Sequence, residues 1–171
     1  MMNERDVKRR LVDDRHRGFV ALVRWSSDPM YRGLLRLVRD RQLAEDLSQE
    51  TFLRAWKALG TYPDERILEM RLQGWLWTIA INRARTHLAK PALPWIARDP
   101  QEDIAKAVSD ADEADRLLGH LEEPVRTSVV LRHVVGLSYA EIAEALDRPT
   151  GTVKSDVHRA MKKLKEIGAT S

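Results

Sequence analysis

Lys154, Ser155, His158, Arg159 and Lys162 follow one another at steps of one or three residues, a spacing that gathers them on one face of a helix. Ammonium, guanidinium, hydroxyl and imidazole groups are the donors that meet phosphate oxygens and base edges. From Arg148 to Lys165 there are six basic residues (Arg148, Lys154, Arg159, Lys162, Lys163, Lys165) against one acid, Asp156. The chemistry this implies is binding rather than catalysis. His16, His87, His120, His133 and His158 are dispersed, with no H-x-x-x-H pair. There is no glycine-rich phosphate loop or nucleophile motif. An enzyme is therefore not expected, nor a metal site, a cofactor or a small-molecule substrate.

The elements that must present this face lie between Leu137 and Lys165. Ser138 and Glu141 have the spacing of a capping box, so a helix starts at Tyr139 and buries Ile142, Ala143 and Leu146. Asp147-Arg148-Pro149 ends it, because proline cannot continue a helix and disfavours helical geometry in the residue before it. Asp147 is expected in the left-handed region, and Thr150 as the cap of the next helix. Val153, Val157, Met161 and Leu164 then face inward. A short helix, a sharp corner and a basic second helix read as a helix-turn-helix that enters a DNA major groove. The competing reading is an αα-hairpin with a solvated basic face.

The chain has 171 residues, 43% of them apolar and 32% charged, with a net charge of +3. That composition fits one or two folded domains. Cysteine is absent, which excludes disulfides and thiolate chemistry and fits a reducing, cytoplasmic location. The longest uncharged apolar run, Trp75 to Ile81, is far short of a membrane span, and no secretory signal opens the chain. Strand-like alternation is missing, so the fold class is all-α: two small helical domains joined by an acidic linker.

In chain order, residues 1–17 are charged and poorly patterned and read as a frayed arm or a first turn. Phe19, Val20, Leu22 and Val23 begin a helix expected to end near Trp25. Ser26-Ser27-Asp28-Pro29 reads as a stop and restart, after which Tyr31, Leu34, Leu35 and Val38 resume the stripe. Leu43 to Leu59 is a helix burying Leu43, Leu47, Thr51, Ala55 and Leu59, joined by Phe52 and Trp56. Its other face carries Asp46, Gln49, Glu50 and Leu53, an acid-amide surface with one apolar anchor that suits a basic partner. The alternative is a solvated face with one stray leucine.

After Gly60-Thr61-Tyr62-Pro63-Asp64 and a loop, Gly74 to Lys90 forms another helix, with Leu72, Trp75, Leu76, Ile79, Ala80 and Leu88 toward the core. Arg71, Trp77, Asn82, Arg83 and Arg85 lie off that stripe, and aromatic rings interleaved with arginine suit single-stranded DNA; the alternative is that both tryptophans, Trp75 and Trp77, are core. Pro91 to Glu123 holds nine acids against three bases, which marks a linker and domain boundary. The expected division is 1–90, a linker over 91–112, and 113–171. Helices through Leu117, Leu118 and Leu121, and from Pro124 to a stop at Gly136, give the helix-turn-helix its core.

The run Ala44-Glu45-Asp46-Leu47-Ser48-Gln49-Glu50-Thr51-Phe52-Leu53-Arg54-Ala55-Trp56 closely resembles the second conserved region of bacterial RNA polymerase sigma factors. So does Gly74-Trp75-Leu76-Trp77-Thr78-Ile79-Ala80-Ile81-Asn82-Arg83. Leu131-Arg132-His133, Gly136 to Leu146, and Gly151-Thr152-Val153-Lys154-Ser155 resemble the fourth. Two regions with a short linker is the plan of the extracytoplasmic-function group of the sigma-70 superfamily.

That resemblance implies a dissociable factor that directs core polymerase to promoters, melts the −10 element and is held by an anti-sigma protein. It implies that Asp46, Gln49, Glu50 and Leu53 contact the β′ clamp helices, while the C-terminal region meets the β flap. Tyr62, Arg71, Trp77, Asn82 and Arg83 would hold the −10 element, and Thr152, Lys154, Ser155, His158, Arg159 and Lys162 would read the −35 element. Asp156 stands where the family commonly has arginine; on the groove face it would repel phosphate, or accept from a cytosine amino group. A stand-alone helix-turn-helix regulator is the principal alternative, and a helical adaptor without DNA is a third.

Overall fold

The computed structural model describes residues 2–88 and 113–169. The expected acidic linker, 91–112, lies outside the described residues. Among those residues every regular element is helical, and no helix is long and apolar enough to cross a membrane.

The amino-terminal residues are a capped helix, not an arm. Asn3 caps α1 (Glu4–Asp13): its side chain accepts from the Asp6 amide and the Asp6 carboxylate accepts from the Asn3 amide, each at 3.1 Å. Val7 and Leu11 are fully buried. Only two apolar residues face inward, which is why the pattern is faint.

Asp14 turns the chain and caps α2 (Arg15–Val38), accepting from the Arg17 amide at 2.9 Å. The two helices cross at Gly18, where a Cβ would lie 2.3 Å from Leu11 Cα, so only glycine fits. The expected stop at Ser26–Pro29 does not occur, because α2 runs through Pro29. Gly18, Leu22, Ser26, Met30 and Leu34 form one buried row at intervals of four. That row outweighs the single backbone bond proline forfeits. Ser26 is accommodated on it by donating its hydroxyl to Leu22 O at 2.7 Å.

Arg39, at φ 55°, ends α2. Asp40 then caps α3 (Arg41–Leu59), accepting from the Leu43 amide at 2.9 Å. Leu47, Thr51, Ala55 and Leu59 are wholly buried as the spacing requires, whereas Trp56 is 39% exposed. A short α4 (Asp64–Glu69) buries Ile67, and α5 (Leu72–Leu88) follows. Leu72, Leu76 and Ala80 are core; Leu88 is 66% exposed, not core. Each fully buried leucine contributes about 1.5–3 kcal/mol.

After α6 (Glu113–Leu118), α7 (Val125–Val130) continues as a π-helical turn, Leu131–Val135, closed by Gly136 at φ 87°. Next comes α8 (Tyr139–Leu146), with the expected capping box: Ser138 Oγ accepts from the Glu141 amide at 3.2 Å and Glu141 accepts from the Ser138 amide at 2.8 Å. Asp147 is left-handed at φ 52°, as expected. The last helix, α9 (Thr150–Gly168), has Pro149 at its N-cap position, so Thr150 is its first residue and not its side-chain cap.

The two halves do not stand apart. One cluster joins Leu22, Leu34, Leu76 and Trp77 to Leu131, Val135, Leu137, Ile142 and Leu146; a second holds Leu118, Leu121, Val129, Val130, Val157, Ala160 and Leu164. The junction lies between α5 and α8. A Cβ at Gly33 would meet the Trp77 ring at 2.5 Å and Val135 at 3.1 Å, and one at Gly74 would meet Glu141 Cγ at 2.9 Å. Polar bonds frame this seam: Gln73 Nε2 to Val135 O and Arg85 Nη2 to Leu146 O, both 3.0 Å, and an Arg36–Asp115 ion pair at 2.8 Å.

Candidate nucleic-acid interface

The capping box and the left-handed Asp147 set the corner between α8 and α9, and α9 then divides into two faces. Val153, Val157, Ala160 and Leu164 are buried. Thr152, Lys154, Ser155, His158, Arg159 and Lys162 are all exposed, and Lys154, Ser155, His158 and Arg159 line one open hollow. The six residues expected on the reading face are thus all exposed to solvent on α9.

Asp156 is not on that surface. It is 5% exposed, and both carboxylate oxygens are engaged: Oδ2 accepts from Arg148 Nη2 at 2.6 Å and Oδ1 from Arg159 Nη2 at 2.7 Å. An acid repelling phosphate or accepting from cytosine is therefore not what the structure contains. Residues 153, 156, 157, 160 and 164 together make the inward row, so the helical spacing already carried this signal. Arg148, in the turn, belongs to the same network and was not among the predicted site residues.

The second candidate surface surrounds the segment between α3 and α5. Tyr62 is half-buried, its ring 5.8 Å from that of Trp75 and covered at 3.7 Å by the Arg66 guanidinium. Asn82 is exposed on α5. Arg71 is exposed too, but donates to Ser138 Oγ at 3.3 Å, across the seam. Trp77 is 1% exposed and packed beneath Gly33 and Val135. It is core, not a stacking platform, because the residues at its back come from a part of the chain that helical spacing cannot see. Trp75 is the ring nearer solvent.

This segment is braced from the amino terminus. Arg15 Nη2 donates to Tyr62 O at 3.1 Å and to Asp64 Oδ1 at 2.6 Å. Lys8 Nζ donates to Leu68 O at 3.2 Å. Glu4 accepts from the amides of Leu72 at 3.0 Å and Gln73 at 3.5 Å, placing a carboxylate on the amino end of α5. Glu4, Lys8 and Arg15 had no role in the sequence reading; the preparatory signal was the Asn3–Asp6 capping pair.

The third surface is the outer face of α3. Asp46, Gln49 and Leu53 are exposed, Leu53 at 63%. Leu53 is not a stray residue: with His16, Phe19, Val20, Val23, Gln49, Phe52 and Trp56 it lines an apolar hollow between α2 and α3. Trp56 packs against Phe19, ring centres 5.0 Å apart.

Glu50 lies at the edge of this face and is committed inward. It pairs with Arg83, and His87 Nε2 is 3.3 Å away. Burial raises the Glu50 pKa, but hydrogen bonds and charge from Arg83 and His87 outweigh it and hold the carboxyl below its ordinary range. Among the described residues no cluster of three or more acidic or histidine side chains could hold a metal.

The family model described as Sigma-70 region 2 matches residues 22–92, and that described as Sigma-70, region 4 matches residues 111–164. The chain is 30% identical over 154 residues to the RNA polymerase sigma-H factor of Pseudomonas aeruginosa, covering 77% of this chain and 76% of that protein. It is 32% identical over 154 residues to the RNA polymerase sigma-E factor of Streptomyces coelicolor, covering 86% and 84%. The extracytoplasmic-function sigma-E factor of Haemophilus influenzae is 30% identical, over 77% of this chain and 78% of that one. In fold, the chain matches CnrH in complex with the cytosolic domain of CnrY, with a TM-score of 0.69, 23% identity and 98% of each chain covered. It also matches the sigma factor RpoE of Bartonella quintana in complex with the anti-sigma factor NepR, with a TM-score of 0.66, 21% identity, and 86% and 94% covered.

Proposed function

The chain belongs to the sigma-70 family of RNA polymerase sigma factors, in its extracytoplasmic-function group, and we propose that it divides promoter recognition among three surfaces. It directs core enzyme to specific promoters and starts transcription there, as an initiation factor rather than a catalyst, in the cytoplasm. Asp46, Gln49 and Leu53, with the apolar hollow around Trp56, dock on the β′ clamp helices; residues 113–171 reach the β flap. The 61–71 segment with Tyr62, Arg71 and Asn82 holds the −10 element. Thr152, Lys154, Ser155, His158, Arg159 and Lys162 read the −35 element as duplex. Glu50 and Arg83 act as a bracket between α3 and α5.

The observation that carries this reading is the pairing, on one chain, of an exposed acid-and-apolar face on α3 with an exposed basic face on α9. The first suits a protein partner and the second suits phosphate. Each phosphate contact steepens the log–log salt dependence by about 0.9, and flipping a base from the stack costs a few kcal/mol. A small helical unit traps an opened base more readily than it opens one, so the DNA surfaces act when mounted on polymerase.

The seam bears on regulation. Arg71 bonds to Ser138 and α8 lies along α5, so engaging the −10 strand requires the 1–90 and 113–171 units to part. An anti-sigma partner that favours the closed arrangement keeps the factor silent.

Run-off transcription tests the proposal. With core polymerase the chain gives promoter-specific transcripts, and alone it binds duplex promoter weakly. Tight, specific binding without polymerase overturns the proposal in favour of a stand-alone helix-turn-helix regulator.

A further inference from the structure

We propose that Asp156 is a positioning residue for −35 recognition, its buried carboxylate aiming the Arg159 guanidinium and tying the turn at Arg148 to the reading helix. The inference rests on α9 being the −35 reader.

A carboxylate in a basic DNA-reading helix is a liability by charge alone, and one buried beside Val153, Val157 and Ala160 must be paired to be tolerated. Asp156 is paired twice, once from the corner and once from its own helix. Arg148 is held at both ends: its amide donates to Ala143 O at 2.9 Å and its Nη2 to Asp156. The turn is thereby pinned to the first turns of α9, where base-reading side chains sit.

Arg159 is different, its side chain being 77% exposed. Asp156 takes Nη2 and the Ser155 carbonyl lies 3.4 Å from Nε. No partner among the described residues takes Nη1. A long, flexible side chain in open solvent is thus fixed with part of its fork unoccupied. Fixing a side chain before binding removes the ordering entropy otherwise lost in the complex, and a fixed fork is what bidentate recognition of guanine demands. Asp156 therefore strengthens discrimination by aiming Arg159, not by repelling phosphate.

The test compares holoenzyme containing the wild-type chain, Asp156→Asn, Arg159→Ala and the double variant. Each is titrated with promoter DNA bearing the cognate or a base-substituted −35 element over a range of salt. Asp156→Asn is expected to lower the cognate-to-substituted affinity ratio by about tenfold while binding to the substituted DNA holds or rises. In the Arg159→Ala background it is expected to change the ratio no further.

Higher affinity for both DNAs at an unchanged ratio overturns the proposal and makes Asp156 a repelling charge. Losses that add across the double variant, with a lowered melting temperature, overturn it in favour of a purely structural pair. If the wild-type holoenzyme shows no preference for the cognate −35 element, the −35 reading itself falls; if only Arg159→Ala leaves the ratio intact, Arg159 is not a reader and the positioning role falls with it. If Arg159→Ala lowers the ratio and Asp156→Asn does not, the positioning role alone falls.

Discussion

Arg83 on α5 donates to the Glu50 carboxylate on α3, with His87 3.3 Å from its other oxygen. The pair joins two residues that the resemblance to sigma factors assigns to different partners, Glu50 to polymerase and Arg83 to DNA. Arg83 is half-buried and its Nε is buried without a partner, so losing Glu50 strands a cation. Glu50→Gln is expected to destabilise the fold by about 1–3 kcal/mol at neutral pH. Because the folded state holds the Glu50 pKa below its ordinary value, this stability is present above the unfolded-state pKa and lost as pH falls through the folded one. Urea melts of wild type and variant should therefore converge in acid, and a gap independent of pH would refute the pairing.

Core binding is expected to depend on the residues of α3 that face outward. Asp46→Ala with Gln49→Ala should weaken capture of core polymerase while leaving helicity and melting temperature intact, since both side chains are exposed. Leu53→Ala should cost about 1–2 kcal/mol of affinity if it is the anchor of the hollow shared with Trp56 and Val20. Unchanged affinity in a quantitative pull-down for all these variants would remove α3 from the clamp interface.

Glu4 and Lys8 on α1 and Arg15 at the start of α2 lie before the residues matched to Sigma-70 region 2, yet α1 holds the chain at Leu68 and Leu72 and Arg15 holds it at Tyr62 and Asp64. Glu4→Gln withdraws a charged cap from α5 and is expected to lower stability by about 1 kcal/mol. Combined with Lys8→Ala, it should weaken holoenzyme binding to a single-stranded −10 oligonucleotide severalfold without altering −35 duplex binding. Equal loss at both elements would mean that α1 supports the fold alone.

What could be read in advance was local. The Ser138–Glu141 box, the left-handed Asp147, the Gly136 stop and the exposed basic row of α9 depend on residues within a turn or two of one another. What could not be read depends on groups distant in sequence. Pro29 looks like a break until Gly18, Leu22, Met30 and Leu34 are seen to share one buried row. Trp77 looks free until Gly33 and Val135 close over it. Asp156 is intermediate, since its inward position is written in the spacing but its two arginine partners are not.

The closed seam makes the sharpest expectation. A Cβ built on Gly74 lies 3.2 Å from Glu141 Cβ, close to the separation of about 3.5–4.5 Å that a disulfide spans. The chain has no cysteine to interfere. In a Gly74→Cys, Glu141→Cys variant, oxidation is expected to lock α8 onto α5 and keep Arg71 against Ser138. The lysines and arginine of α9 remain outside the lock, because their face points away from the seam's buried residues. The oxidised protein should therefore lose run-off transcription and −10 strand binding by at least about tenfold, and reduction should restore both. Full transcription by the oxidised, cross-linked protein would show that initiation proceeds with the two units together, and the parting of α5 from α8 would have to be abandoned.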